Sequence, residues 1–138
     1  MKKLFVAALF LALTISVLAQ NRTAVNLIDK RLNRCLDSTH STTASMIECS
    51  AQAYKEWDVE LNKYYKLLMA TPDSETKTKL KTAQIAWLAY RDYEFILVDR
   101  FYTNDGTMWG PIRINKKMEI VRQRALDLKE YYDVLNIH

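Results

Sequence analysis

Residues 47–68 read IECSAQAYKEWDVELNKYYKLL, and the spacing within them decides the fold. Ile47, Ser50, Tyr54, Trp57, Leu61, Tyr64 and Leu68 follow one another at alternating steps of three and four. That spacing is one face of a helix with a near-heptad repeat. Two further series flank it downstream: Leu80, Ala83, Trp87, Tyr90, Glu94, Leu97, Phe101, and Ile114, Met118, Val121, Ala125, Leu128, Tyr132, Leu135. Each series predicts a helix of roughly 24–30 residues, ~35–45 Å long, with the named residues facing the core. A shorter helix precedes them, built on Val25, Leu27, Ile28, Leu32 and Cys35.

The punctuation agrees. The two glycines, Gly106 and Gly110, and the two prolines, Pro72 and Pro111, leave long uninterrupted stretches that suit helices rather than a many-turned sheet. Ser41, Thr42 and Thr43 offer hydroxyl caps to the first long helix, with Ser45 and Glu48 as an alternative capping box. Thr71-Pro72-Asp73 reads as cap, first-turn proline and first-turn acid of the second. Asn104-Asp105-Gly106 ends that helix, and Gly110-Pro111 opens the third. The short connection near Pro72 places the first two long helices antiparallel. The fold class is therefore all-α: an antiparallel bundle of three long helices and a short N-terminal one.

The N-terminus has a different character. Met1-Lys2-Lys3 is a short basic start, Leu4 to Leu18 is almost wholly apolar, and Val17-Leu18-Ala19 precedes a cleavage position. This is the layout of a secretory signal peptide over residues 1–19. Its apolar run of about fifteen residues falls short of the ~20 of a membrane span; an uncleaved N-terminal anchor is the alternative. Gln20, not Cys, follows the cut, against a lipid anchor. Residues 20–138 then form a single domain, large enough to bury roughly two-thirds of its unfolded surface. Lys2 and Lys3 leave with the signal, so 18 of the 20 basic residues face 16 acidic ones and the formal charge falls from +4 to +2. No clustered basic patch of the kind nucleic acid requires is present. The C-terminal stripe of Arg113, Lys116, Lys117, Arg122 and Arg124 is offset by Glu119, Asp127, Glu130 and Asp133 and reads as a solvated helix face. No transmembrane segment is expected in the mature chain.

Cys35 and Cys49 are the only cysteines. In an exported chain they read as a disulfide, which would stabilise by ~3 kcal/mol in the chain-entropy picture. The alternatives are two free thiols or a metal pair, although with only His40 and His138 as histidines a four-ligand zinc site is hard to assemble.

Catalytic constellations are missing from the sequence: no GxSxG, no HExxH, no phosphate-binding glycine loop and no dinucleotide fingerprint. Glu56, Asp58 and Glu60 form a local acidic group, and paired carboxylates serve glycosidases, but Asp58 points away from the other two. The group reads as solvated helix residues. A non-enzyme without cofactor or metal is expected. Polar residues inside the apolar series stand out more. Glu94 holds a core-type position, Arg91 precedes it by one turn, Gln84 adjoins Ala83 and Trp87, and Asn62 adjoins Leu61. Unpaired burial of such groups costs ~1–3 kcal/mol each, so they either pair across helix interfaces or line a polar groove for a partner. Most of the aromatics (Tyr54, Trp57, Tyr64, Tyr65, Trp87, Tyr90, Tyr93, Phe95) are expected in the core. The Thr103–Pro111 connection holds Met108-Trp109 between its glycines, either as a plug over the bundle end or as an exposed anchor for a partner.

These residues carry a family resemblance. Cys49-x-x-x-Ala53-Tyr54-x-x-Trp57-Asp58-x-x-Leu61-Asn62-x-x-Tyr65-x-x-Leu68 is followed by Leu80-x-x-Ala83-Gln84-x-Ala86-Trp87-x-x-Tyr90-Arg91-Asp92-x-Glu94. The pair of strings resembles the lysozyme inhibitor LprI-like N-terminal domain family, small exported bacterial proteins, over roughly residues 35–135. Gly106-Thr107 and Arg122-x-Arg124-x-Leu126-x-x-Leu128 fit its usual ending. Many members also carry a cysteine directly after the glutamate that Glu94 matches, paired with one late in the chain. Here Phe95 stands at that place and no later cysteine exists. The resemblance implies an exported all-helical domain that binds another protein, with lysozyme inhibition as the specific version. A structural or stress-related role in the cell envelope is the rival. The motif residues resemble bundle-packing positions more than a wedge for an enzyme cleft.

Overall fold

The structure, a computed structural model, describes residues 27–38, 42–103 and 106–137. The expected signal peptide, residues 1–19, lies outside them, as do His40, Ser41, Asn104, Asp105 and His138. Residues 27–38 are helical (α1). Three long helices follow: α2 (Thr43–Met69), α3 (Ser74–Phe101) and α4 (Trp109–Leu135). No strand occurs among the described residues. The chain runs up, down and up. The α2 Tyr64 ring lies 5.9 Å from the α4 Tyr132 ring, and Arg122 of α4 sits 5.3 Å over Trp57 of α2, so α2 and α4 are parallel. The antiparallel α3 pairs Phe95 with Tyr54 and Asp99 with Lys117. Among the described residues no helix is long and apolar enough to cross a membrane.

The core lies between α2 and α4. Trp57, Tyr64, Met118, Val121 and Leu128 are fully buried, and Ile28 of α1 closes one side. The periodic faces read from the sequence hold for these two helices, apart from their ends: Ile47 and Leu135 are exposed. They do not hold for α3. Of the series drawn there, Ala83, Tyr90, Leu97 and Phe101 are exposed and Trp87 is half-buried, whereas Gln84 and Val98 are the buried residues. The cause is visible in the chain itself. Apolar residues surround α3 on all sides, so its sequence defines no single core stripe, and α3 leans on the α2–α4 pair through a narrow strip. Tyr90 and Tyr93 are accordingly exposed rather than in the core.

The helix starts have local causes. Thr42 caps α2, its hydroxyl accepting from the Ser45 N–H at 3.2 Å. Asp73 is itself the cap of α3, not a first-turn acid. Its carboxylate accepts from the N–H groups of Glu75 (3.2 Å) and Thr76 (3.1 Å), as N-cap oxygens do. Gly106 has φ of +125°, a backbone region side chains disfavour. At Gly110 a Cβ would stand 2.9 Å from the Ile47 side chain, so a glycine lets α4 start close against α2. Cys35 and Cys49 form a disulfide with Cα atoms 5.8 Å apart, tying α1 to α2. The ion pair from Arg31 Nε to Glu56 at 3.0 Å reinforces that tie, and Arg122 to Asp29 at 2.8 Å holds α1 to α4.

Candidate functional site

The motif residues converge on the groove between α2 and α3. Asp58, Leu61, Asn62 and Tyr65 from α2 face Gln84, Trp87 and Arg91 from α3 across a cleft of about 410 Å³. The helical spacing puts the four α2 residues on one flank, and the antiparallel α3 returns its own three opposite them. Trp57 lies beneath, fully buried, with its Nε1 hydrogen unmatched by any acceptor. Asp58 and Asn62 answer each other within one turn: the Asn62 amide donates to the Asp58 carbonyl (2.8 Å) and carboxylate (3.1 Å). Arg91 grips its neighbour Asp92 with Nε (2.9 Å) and Nη2 (2.7 Å). Its guanidinium lies 5.5 Å from the Trp87 ring centre and 5.8 Å from that of Phe95. Burial raises the Tyr54 phenol above its ordinary value, with the Arg91 charge opposing. The hydrogen bonds from Arg122 to Asp29 raise the Arg122 guanidinium further.

Not every motif residue joins this groove. Tyr90 and Glu94 lie on the opposite flank of α3, in a larger cleft against α4 of about 770 Å³ that Trp87 also lines. Asp92 is exposed on the solvent side. Of the polar residues singled out in the series, Gln84 pairs across a helix interface, its Oε1 accepting from Arg124 Nε at 3.0 Å; Asn62 and Arg91 pair locally.

Arg124 is the buried polar residue beside the motif that the charge pattern of the sequence does not mark. It belongs to the basic stripe read as a solvated helix face, yet it is 9% exposed. The signal was its register: Val121, Arg124, Ala125 and Leu128 sit at i, i+3, i+4 and i+7, a buried face. Lys129, next along, is likewise buried and paired with Asp133.

At the α3–α4 connection, Trp109 is the first residue of α4 and half-buried, its ring 6.1 Å from that of Tyr102. Met108 beside it is exposed. Arg113 braces the connection by donating to the Tyr102 carbonyl at 3.0 Å, and Lys116 lies 6.0 Å from the Tyr102 ring centre. Among the described residues, no three His, Cys, Asp or Glu side chains converge as metal ligands.

Fold and groove together define a class: a disulfide-linked helical bundle whose recurring motif lines the groove between its first two long helices. Over residues 35–128 the sequence matches the family described as lysozyme inhibitor LprI, and the chain belongs to that family. It is 33% identical over 95 residues to an uncharacterized protein of Rhizobium meliloti, spanning 59% of this chain and 68% of that one. It is also similar to an uncharacterized protein from Burkholderia thailandensis known from a crystal structure, with a TM-score of 0.71 and 32% identity over 77% of this chain. That match covers only 53% of the Burkholderia protein.

Proposed function

We propose that this protein is exported and binds a lysozyme, blocking it with the end of the bundle where α3 turns into α4. Family membership supplies the target class. The observation that carries the docking end is an exposed apolar pair, Phe101 and Met108, 72% and 58% exposed, set beside Arg100 and Lys116. A glycosidase cleft holds two carboxylates. An exposed apolar pair flanked by cations complements such a cleft, whereas the concave grooves on either side of α3 cannot enter another concavity. Trp109 packs against Tyr102 next to this pair, and Met108 is the exposed neighbour. The small net charge gives little long-range steering, so affinity rests on short-range fit. Export is supported by the Cys35–Cys49 bond, which suits an oxidising compartment, and by the signal layout of residues 1–19. Binding rather than catalysis is the role that the motif's local pairings support.

The test is lysis of a cell-wall suspension by several lysozyme types with residues 20–138 in micromolar excess. Inhibition is expected, and a Phe101→Asp/Met108→Asp double variant with unchanged circular dichroism should weaken it at least about tenfold, as loss of hot-spot contacts does. Full lysozyme activity in the presence of the native protein overturns the lysozyme reading. Inhibition undiminished in the double variant overturns the docking end alone.

A structural role in the cell envelope is the second reading. It is favoured by Tyr93 and Ile96, both exposed on α3, where lateral association would cover them. Retention on peptidoglycan in preference to a lysozyme column, with no inhibition, is the outcome that reading requires.

A further inference from the structure

Arg124 is a buried cation without an anion. Its Nε is satisfied by Gln84, and its guanidinium lies 5.8 Å from the Trp87 ring centre. Its Nη2 is buried and has no acceptor. Among the described residues no carboxylate pairs with it, although the other basic residue buried in α4, Lys129, has Asp133 and the half-buried Arg122 has Asp29. Taking a charge out of water is costly unless it is paired and hydrogen-bonded. One neutral hydrogen bond and one contact with an aromatic face recover only part of that cost.

Arg124 stands where an external anion could reach it. It lines the α3–α4 cleft of about 770 Å³ and also a second opening of about 810 Å³ toward the start of α3. Either volume lies in the range of small-molecule sites. The first cleft has apolar lining from Trp87, Tyr90 and Leu97 and charged lining from Glu94, Glu119, Asp127 and Lys116. These three carboxylates, offset in part by Lys116, repel a dianionic phosphate or a polyanion more strongly than a single negative charge. They leave room for a ligand whose single negative charge is carried inward and whose remainder is apolar. Access to the guanidinium is eased because α3 is held lightly, burying only Gln84 and Val98.

We propose that the α3–α4 cleft is a binding site for an apolar monocarboxylate, its carboxylate on Arg124 and its body against Trp87, Tyr90 and Leu97. Such a carboxylate is offered by a free aromatic or branched acid, or by the C-terminus of a peptide ending in an apolar residue. The cleft shares Phe101 and Lys116 with the proposed docking end, but this inference rests on Arg124 and not on lysozyme binding, so failure of either reading leaves the other standing.

The experiment titrates residues 20–138 with phenylacetate, its neutral isostere phenylacetamide, acetyl-Ala-Phe with a free C-terminus, and inorganic phosphate. Calorimetry gives affinity, and NMR follows the Arg124 Nε–H and the Trp87 indole N–H. One or both carboxylates should bind one to one and shift both signals, with the tighter of the two identifying the source. Phenylacetamide should bind at least about tenfold more weakly, a difference of ~1.4 kcal/mol, and phosphate should leave both signals in place. Arg124→Met should lower carboxylate affinity at least tenfold. A second variant, Tyr90→Asp, changes an exposed wall residue and adds repulsion at the mouth, so it should weaken binding while the fold is retained. Equal binding of phenylacetate and phenylacetamide, carboxylate binding unchanged in both variants, or phosphate binding as well as phenylacetate overturns the proposal.

Discussion

Replacing Trp57 by alanine tests the architecture most directly. The side chain is 0% exposed, lies between α2 and α4, and carries Arg122 over its ring. An aromatic side chain of this kind buries about 150–250 Å², which at about 25 cal/mol/Å² corresponds to roughly 4–6 kcal/mol. Truncation also removes an Nε1 hydrogen that is buried without an acceptor, returning about 1 kcal/mol of the penalty for an unmatched donor. The expected net loss is about 3–5 kcal/mol, in line with aromatic-to-alanine changes in cores, and a large share of the ~5–15 kcal/mol of a whole domain. Trp87→Ala is the internal control. Trp87 is half-buried on the lightly packed α3, and its loss should cost about 1–2 kcal/mol, a typical point-mutant value. Urea titration followed by far-ultraviolet circular dichroism measures both without depending on the tryptophans themselves. A loss below about 1 kcal/mol for Trp57→Ala, or equal losses for the two variants, refutes a core confined to the α2–α4 interface.

Two further outcomes concern caps and cross-links. Hydrogen bonds from the Thr76 hydroxyl, the Thr76 N–H and the Glu75 N–H hold the Asp73 carboxyl below its ordinary 3.8. The unfolded chain therefore takes up this proton first on acidification, and the cap's contribution, complete above pH 3.8, is lost as the pH falls through the lower folded value. NMR titration of Asp73 should place its midpoint below 3.8, and Asp73→Asn should remove that part of the acid dependence; a midpoint at or above 3.8 contradicts the cap. Paired Cys35→Ser and Cys49→Ser changes should cost about 3 kcal/mol in denaturant titration, and α1 amides should exchange faster while those of α4 keep their order of protection.

Legibility in the sequence differed from helix to helix, and the reason is physical. In α2 and α4 the buried positions are mostly apolar and most apolar positions are at least half-buried, so a three-four spacing locates Trp57, Leu61, Met118 and Val121 directly. In α3 the two properties come apart. Tyr90, Leu97 and Phe101 are apolar and exposed, whereas the buried Gln84 is polar. Its burial depends on Arg124, forty positions away, and no local pattern encodes a partner at that distance. The motif residues are identifiable from the family resemblance, but not their division between the two flanks of α3, because that division follows from the angle at which α3 leans on its neighbours. The basic stripe misleads for a related reason: its charge marks it as a solvated face, whereas its register buries Arg124.

The two helices that share the core are not consecutive. Between Met69 and Trp109 the chain travels the whole of α3 before α4 can lie alongside α2. Because the two run parallel, their pairing closes loops of about 65 residues, as between Trp57 and Arg122, an entropic cost that grows only slowly with length but raises the contact order and slows the search. A nascent α3 shortens that loop by stiffening it into a strut of about 40 Å. The helix that contributes least to the finished core thereby acts as a spacer, setting how readily the other two meet.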